Sequence, residues 1–472
     1  MPMTPTAMAP EAAPSTNAFA RLVGARPGEG PALAWSWCYI FAILAAYYLL
    51  RPIRDQMGIA GGIENLPWLF TATLVGMLVL NLPFAWLVKR MPRARFVPLT
   101  YRFFAGNILL FALALYGAPP DWDVWIGRVF FVWLSIFNLF VVSIFWATIV
   151  DVFSTEQGKR LFGFIAAGAT LGAISGSAAT ALLARSVPTW GLMLGAVVLL
   201  EGAVFSLRGL AGISERLRQA PSGGREQGTG QGTGQGTGQG TGPGTEQGTG
   251  QVIGGSVFAG VTRTLASPYL LNISLFLLLF SVTSTYLYFQ QAAIAKASFP
   301  DRAAQTAFFA GVDLAVNVLT LGVQVFLTGR IVRRIGVGLT LAILPALSIL
   351  GFGLLALAPS IAAIVGFQVL RRAGNFAISR PIREVLFTVV AREDRYKAKS
   401  FIDTVVYRLG DQAGAWSYAG LGVLGFGAAA VSLVAVPLSA AWLGNSLWLG
   451  RAQERRHRAA RAADAPGYAE GI

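Results

Sequence analysis

Two short charged motifs carry most of the chemistry this chain offers. Arg51-Pro52-Ile53-Arg54-Asp55 lies toward the end of the first long apolar segment, and Arg380-Pro381-Ile382-Arg383-Glu384 nearly repeats it far downstream. An arginine fork matches phosphate or carboxylate oxygens bidentately, so the pair points to an anion. On a helix Arg51 and Arg54 share a face, with Asp55 one turn beyond Arg51. Arg380, Arg383 and Glu384 are expected to repeat that layout, so each motif would offer two cations and one internal counter-ion. The prolines are expected to free the carbonyls of Tyr48 and Ala377 and to permit a kink. Charges inside a membrane are costly, and they usually face a partner, a cavity or a substrate. The motifs read as two arms of a substrate site, or else as structural salt bridges that hold helices together.

The elements that position these motifs are membrane spans. Of 472 residues, 54% are hydrophobic and 12% charged, and the mean hydropathy is +0.59. This composition is that of an all-α, polytopic membrane protein. The spans are expected at 33–57, 66–88, 97–117, 124–152, 160–185, 189–210, 268–296, 302–329, 337–358, 361–390, 400–424 and 427–449, twelve transmembrane helices. A Gln-Gly-Thr-Gly repeat from Gln227 to Gln251 has no apolar side chains to bury and reads as a flexible tether. It divides the chain into a six-helix half at 32–211, a linker at 212–262 and a second six-helix half at 263–450. Residues 1–31 are expected to form a disordered cytoplasmic N-terminus without a secretory signal, and 451–472 a basic cytoplasmic tail.

The net charge of +15 resides in short segments between apolar runs, which speaks for membrane orientation and against nucleic acid. Lys89, Arg90, Arg93, Arg95, Lys159, Arg160, Arg330, Arg333, Arg334, Arg392, Arg395, Lys397 and Lys399 fall on one side, together with the tether. By the positive-inside rule both termini are cytoplasmic, in what is expected to be a bacterial inner membrane. One cysteine, Cys38, and one histidine, His457, exclude a disulfide framework and an ordinary Cys/His metal site. No Gly-x-x-x-x-Gly-Lys-[Ser/Thr] loop occurs. No cofactor and no enzymatic activity are expected. The expected partners are the bilayer and a small anionic molecule, and a monomer suffices.

Other stretches add to the site. Asn138 at mid-depth of the fourth span and Tyr288 in a hydroxyl- and amide-rich seventh span are candidate substrate contacts. Asp55, Asp313 and Glu384 are candidate ion-pairing or coupling groups; Asp313, the best unpaired acid in the membrane, reads as a proton carrier or as a structural bond to a neighbouring helix. Asp151, Glu156, Lys159, Arg160, Arg333 and Arg334 are candidates for a cytoplasmic gate that makes and breaks ion pairs. Gly168, Gly172 and Gly176, four residues apart in the fifth span, fit close helix packing.

Six-helix halves joined by a cytoplasmic tether resemble the major facilitator superfamily. So does Gly329-Arg330-Ile331-Val332-Arg333-Arg334-Ile335-Gly336, which looks like that superfamily's Gly-x-x-x-x-Arg-x-Gly loop. Local sequence is similar to a narrower group, the ATP:ADP antiporters. The similarity lies in Leu50 to Asp55 followed by Gly62-Ile63-Glu64-Asn65-Leu66-Pro67, in Phe145-Trp146 running to Arg160, in Ser267-Pro268-Tyr269-Leu270, and in the second motif followed by Lys397 to Asp403. The resemblance implies that Arg54 and Arg383 stand where that family carries transport lysines. It also implies two losses: the family's acids in the fourth and seventh spans are replaced by Asn138 and the Tyr288 region, and Asp411 stands where a lysine is expected. The resulting expectation is a secondary transporter that exchanges organic or phosphorylated anions by alternating access, with nucleotides among the candidate cargoes. Two readings stay open: a proton-coupled exporter of an amphipathic compound that uses Asp313 or Asp55, and a membrane sensor without transport.

Overall fold

The computed structural model describes residues 25–26, 28–219, 259–390 and 398–464. The expected N-terminal segment up to residue 24, the repeat from Gln227 to Gln251, Arg392, Arg395, Lys397 and the end of the tail lie outside them. Six helices form the first half: α1 (Gly30–Ala60), α2 (Leu66–Arg90), α3 (Arg93–Gly117), α4 (Asp123–Val152), α5 (Thr155–Leu183) and α6 (Thr189–Gln219). After a short helix Ala259–Ala266, the second half comprises α7 (Pro268–Ser298), α8 (Arg302–Phe326) and α9 (Thr328–Leu357). It continues with α10, built from Ile361–Gly374, a π-turn Asn375–Ser379 and Arg380–Leu386. A second π-turn, Ile402–Val406, opens α11 and leads into Tyr407–Val423, and α12 is Ala428–Asp464.

Among the described residues eleven helices are long and apolar enough to cross a membrane. The twelfth expected span is α11. Its π-turn and its charges, Asp403, Arg408 and Asp411, interrupt the apolar run, yet it packs inside the bundle against α7 and α2.

The two halves repeat one packing scheme. In the first, α1 lies against α4, α5 and α6, and α3 against α6; in the second, α7 lies against α10, α11 and α12, and α9 against α12. Close approach explains the tightest of these contacts. A Cβ on Gly172 or Gly176 would run into the backbone carbonyls of Phe41 and Ala45, so α5 seats α1 backbone to backbone, as the four-residue spacing predicts. Gly410 and Gly414 of α11 seat α7 in the same way, against Ser281 and Val282. Two seams join the halves, α2 with α11 and α5 with α8, and α1 also touches α8 and α7.

The face where α6 ends and α7 begins is the linker face; the opposite one is the far face. At the far face a single apolar cluster crosses between halves: Ile59, Leu66, Leu69 and Phe131 pack with Phe289, Ala292, Phe309 and Ala415. Trp68 meets Trp416 edge to face at 4.8 Å, Thr71 binds Gln412 at 2.9 Å, and Arg302 binds Asp123 at 2.8 Å. Toward the linker face the second half keeps its own core around Phe276, Leu386 and Trp442. The molecule is thus closed at the far face.

Candidate functional site: an arginine cluster between the halves

Pro52 stays within a continuous α1. Its neighbourhood is stabilised from α5, where Thr180 donates its hydroxyl to the Leu49 carbonyl at 2.9 Å. At the second motif the Ala377 carbonyl, which Pro381 cannot bond, accepts from the Thr328 hydroxyl at 2.9 Å. A π-turn just before Arg380 inserts an extra residue per turn and rotates the motif relative to the helix above it.

The first motif is buried. Arg54 donates Nε and Nη2 to Asp55 Oδ1 at 3.0 and 2.6 Å, donates to Ser135 of α4 at 3.4 Å, and stacks on Phe131. Asp55 therefore serves Arg54, its direct neighbour, and also accepts the Tyr288 hydroxyl from the other half at 3.1 Å. Asn138 is buried on the same helix as Ser135, one turn further along.

Arg51 finds its acid elsewhere. Its Nη1 lies 3.4 Å from Asp313 Oδ1 of α8, and Nη1 of Arg372 on α10 donates to the same oxygen at 2.7 Å. Asp313 is the shared counter-ion of two arginines, one on each of two neighbouring helices. Next to Arg372, Arg371 is wholly enclosed by neutral groups: Ser348, Ser284, Thr283 and the Phe280 carbonyl accept its N–H groups, and the rings of Phe280 and Trp442 flank it. Sequence reasoning gave neither arginine a role; their place opposite the first motif becomes visible only in three dimensions.

The second motif departs from the expected layout. Arg383 lies 3.4 Å from Asp403 of the segment opening α11, and Glu384 binds Lys399 at 2.6 Å instead of an arginine of its own motif. Arg380 stacks on Phe376 at 4.8 Å and lies within electrostatic reach of Tyr48. Counting from the far ends, Arg51 and Arg372 sit about three turns deep, whereas Arg380 and Arg383 sit about 15 Å nearer the linker face. The motifs are therefore stacked along the seam, not opposed at one level. Tyr48 links them, since its ring lies under Arg51 at 5.6 Å; no sequence signal marked it among so many aromatics.

The proposed gate residues lie on the linker face, where Asp151 and Arg160 have partners inside their own half. Arg93 binds Asp151, and Arg160 binds Glu29 at 2.9 Å with help from Gln157 at 3.0 Å. Arg333 donates to the Gly329 carbonyl of its own helix, in a short basic turn that ends at Gly336, where φ is +73° and glycine is required. Glu156 opens α5 one residue before Gln157, Arg334 follows Arg333 in the basic turn, and the Lys159 side chain lies outside the described residues. Among the described residues the ion pairs that join the halves are Arg51–Asp313 and, at the far face, Arg302–Asp123. Burial pushes the Glu29 carboxyl up, but hydrogen bonds from Arg160, the Arg26 N–H and Gln157 outweigh it and hold the group below the usual carboxylate range.

No protein-family model matches the sequence, and no curated protein matches it. The resemblance to ATP:ADP antiporters therefore gains no support from those comparisons. Solved structures do match. A bacterial homologue of the iron transporter ferroportin in an inward-facing state has a TM-score of 0.57 at 12% identity, covering 88% of this chain and 98% of its own. A bacterial homologue of the human lysosomal transporter Spinster, inward-facing and unoccupied, covers 94% of this chain and 100% of its own at 14% identity, with a TM-score of 0.47. Two six-helix halves with one repeated packing scheme, together with the first of these likenesses, give the chain the fold of the major facilitator superfamily.

Proposed function

We propose that the chain is a secondary transporter that works by alternating access and exchanges organic or phosphorylated anions across the bacterial inner membrane. The observation that carries this reading is the excess of arginine at the seam: Arg51 and Arg372 share the single carboxylate of Asp313, and Arg371 beside them is held by neutral groups. An entering anion would neutralise that excess and let the loaded halves rock, whereas the empty site would resist occlusion. Arg51, Arg54, Arg380 and Arg383 provide the binding forks, with Asn138 and Tyr288 as neutral contacts. Asp55, Asp313 and Asp403 hold the forks in place between substrates, Glu384 is an ion-pairing group through Lys399, and the basic linker face, read as cytoplasmic, carries Asp151, Glu156, Lys159, Arg160, Arg333 and Arg334 at the mouth.

Closure at the far face supports a state open toward the cytoplasm. The donor set does not suit a metal cation: no cluster of three His, Cys, Asp or Glu occurs among the described residues, and Asp55, Asp313, Asp403 and Asp411 each face an arginine. The same pairing disfavours Asp313 as a free proton carrier. The test is counterflow in liposomes of labelled ATP, ADP, phosphate and phosphorylated metabolites, with Arg54→Ala and Arg383→Ala as blanks. Exchange of any anion in the wild type, lost in both variants, supports the reading. Equal exchange in wild type and variants, or none of any anion, overturns it.

A further inference from the structure

The Asp313 triad is chemically incomplete. Its carboxylate uses Oδ1 alone, shared by Nη1 of Arg51 and Nη1 of Arg372. Asp313 Oδ2, Arg51 Nε and Arg372 Nη2 are buried without a hydrogen-bond partner. Asp313 is only 2% exposed and Arg51 only 6%. Buried polar groups are nearly always paired, and three unmet groups in one triad mark a place where something else completes the bonding. What remains is two donors, one acceptor and a net positive charge. The side chains come from α1 of one half and from α8 and α10 of the other, so whatever binds there touches both halves. Tyr48 forms a further wall, within electrostatic reach of Arg51, Asp313 and Arg372.

Resting on the anion-transport reading, we propose that this triad is a subsite for an oxyanion that carries its own hydrogen-bond donor, the protonated phosphate of inorganic phosphate or of a phosphomonoester. The ligand's oxygens accept from Arg51 Nε and Arg372 Nη2, and its O–H donates to Asp313 Oδ2. An oxyanion without a proton, such as sulfate, would turn lone pairs toward a carboxylate and leave Oδ2 unmet. A site built to hydrogen-bond an O–H rejects the analogue that lacks it far more strongly than it rejects a change of size. Asp313 is thereby the group that sets specificity, while the arginines supply attraction.

The test is equilibrium binding of labelled inorganic phosphate to the full chain in lipid nanodiscs at pH 6.5. Arsenate, sulfate and glycerol phosphate serve as competitors. Arsenate is expected to match phosphate, and sulfate to compete at least about tenfold more weakly. A stronger effect of glycerol phosphate than of phosphate assigns the subsite to an ester, and the reverse to the free ion; either supports the proposal. Asp313→Asn, which offers a donor as well as an acceptor, should bring sulfate to within about threefold of phosphate. If that variant does not fold, the wild-type phosphate-to-sulfate ratio alone decides. Equal competition by sulfate in the wild type, or no phosphate binding, overturns the proposal. Should sulfate match phosphate while Arg54→Ala and Arg383→Ala still abolish counterflow, the donor-bearing ligand is wrong and anion exchange stands.

Discussion

Arg51 to Asp55 and Arg380 to Glu384 are nearly the same five letters in two different surroundings. The first motif sits in an unbroken helix, enclosed by α4, α7 and α8, and its acid pairs within the motif while also taking a hydroxyl from the other half. The second follows a π-turn, keeps Arg383 and Asp403 partly exposed, and draws its counter-ions from the segment that opens α11. Side-chain types set what each motif can bind. Helix geometry and depth decide which partners it meets. One motif is built into the joint between the halves, and the other sits nearer the linker face.

The sharpest way to break this contrast is to remove the acid from each. Asp313→Ala would leave Arg51 and Arg372 as buried, uncompensated charges, at a cost of about 3–5 kcal/mol. Asp403→Ala, whose side chain keeps 17% exposure beside a 15% exposed Arg383, should cost clearly less. Thermal unfolding in detergent checks both, and equal losses would mean that the two sites are equally enclosed.

Packing gives the next largest effect. Gly172→Ala or Gly176→Ala would force α5 away from the α1 carbonyls, at about 1–3 kcal/mol, and should displace the first motif while leaving the Glu384–Lys399 pair of the second in place. Unfolding together with cross-linking across the far face measures the loss. At the second motif, Thr328→Val removes the donor to the Ala377 carbonyl beside Pro381 and should cost about 1 kcal/mol.

Smaller still is the linker-face pair of Glu29 and Arg160. Because the folded carboxyl titrates below its unfolded value, near 4.3, its contribution is full above that value and fades as pH falls through the lower folded one. Glu29→Gln should remove that acid-side slope from a plot of stability against pH and leave the neutral range nearly flat. Last, Glu384→Ala breaks a pair that is 38% and 46% exposed, and should change stability by less than about 1 kcal/mol.

Much of the architecture was legible in the sequence, because apolar length and basic turns report spans directly. Four-residue glycine spacing likewise announced close packing of α5, though not that α1 is its partner. The site was legible in its residue types and not in its pairings. Arg372 and Asp313 lie far apart in sequence, and their meeting depends on how α8 and α10 pack. The π-turn at Asn375–Ser379 has no compositional signature, yet it rotates the second motif relative to the helix before it, and Glu384 of that motif binds Lys399. The closed far face was missed for a similar reason. Trp68, Thr71, Gln412 and Trp416 are ordinary residues of a membrane helix until α2 and α11 are brought together.

Alternating access requires that far face to open, and this can be tested directly. With Cys38 replaced by serine, Trp68→Cys and Trp416→Cys can be joined by a short thiol-specific cross-linker across the seam and the chain reconstituted in liposomes. The account predicts that anion counterflow, present before cross-linking, stops when the far face is locked and returns when the link is cleaved. Counterflow that persists at full cross-linking would contradict it.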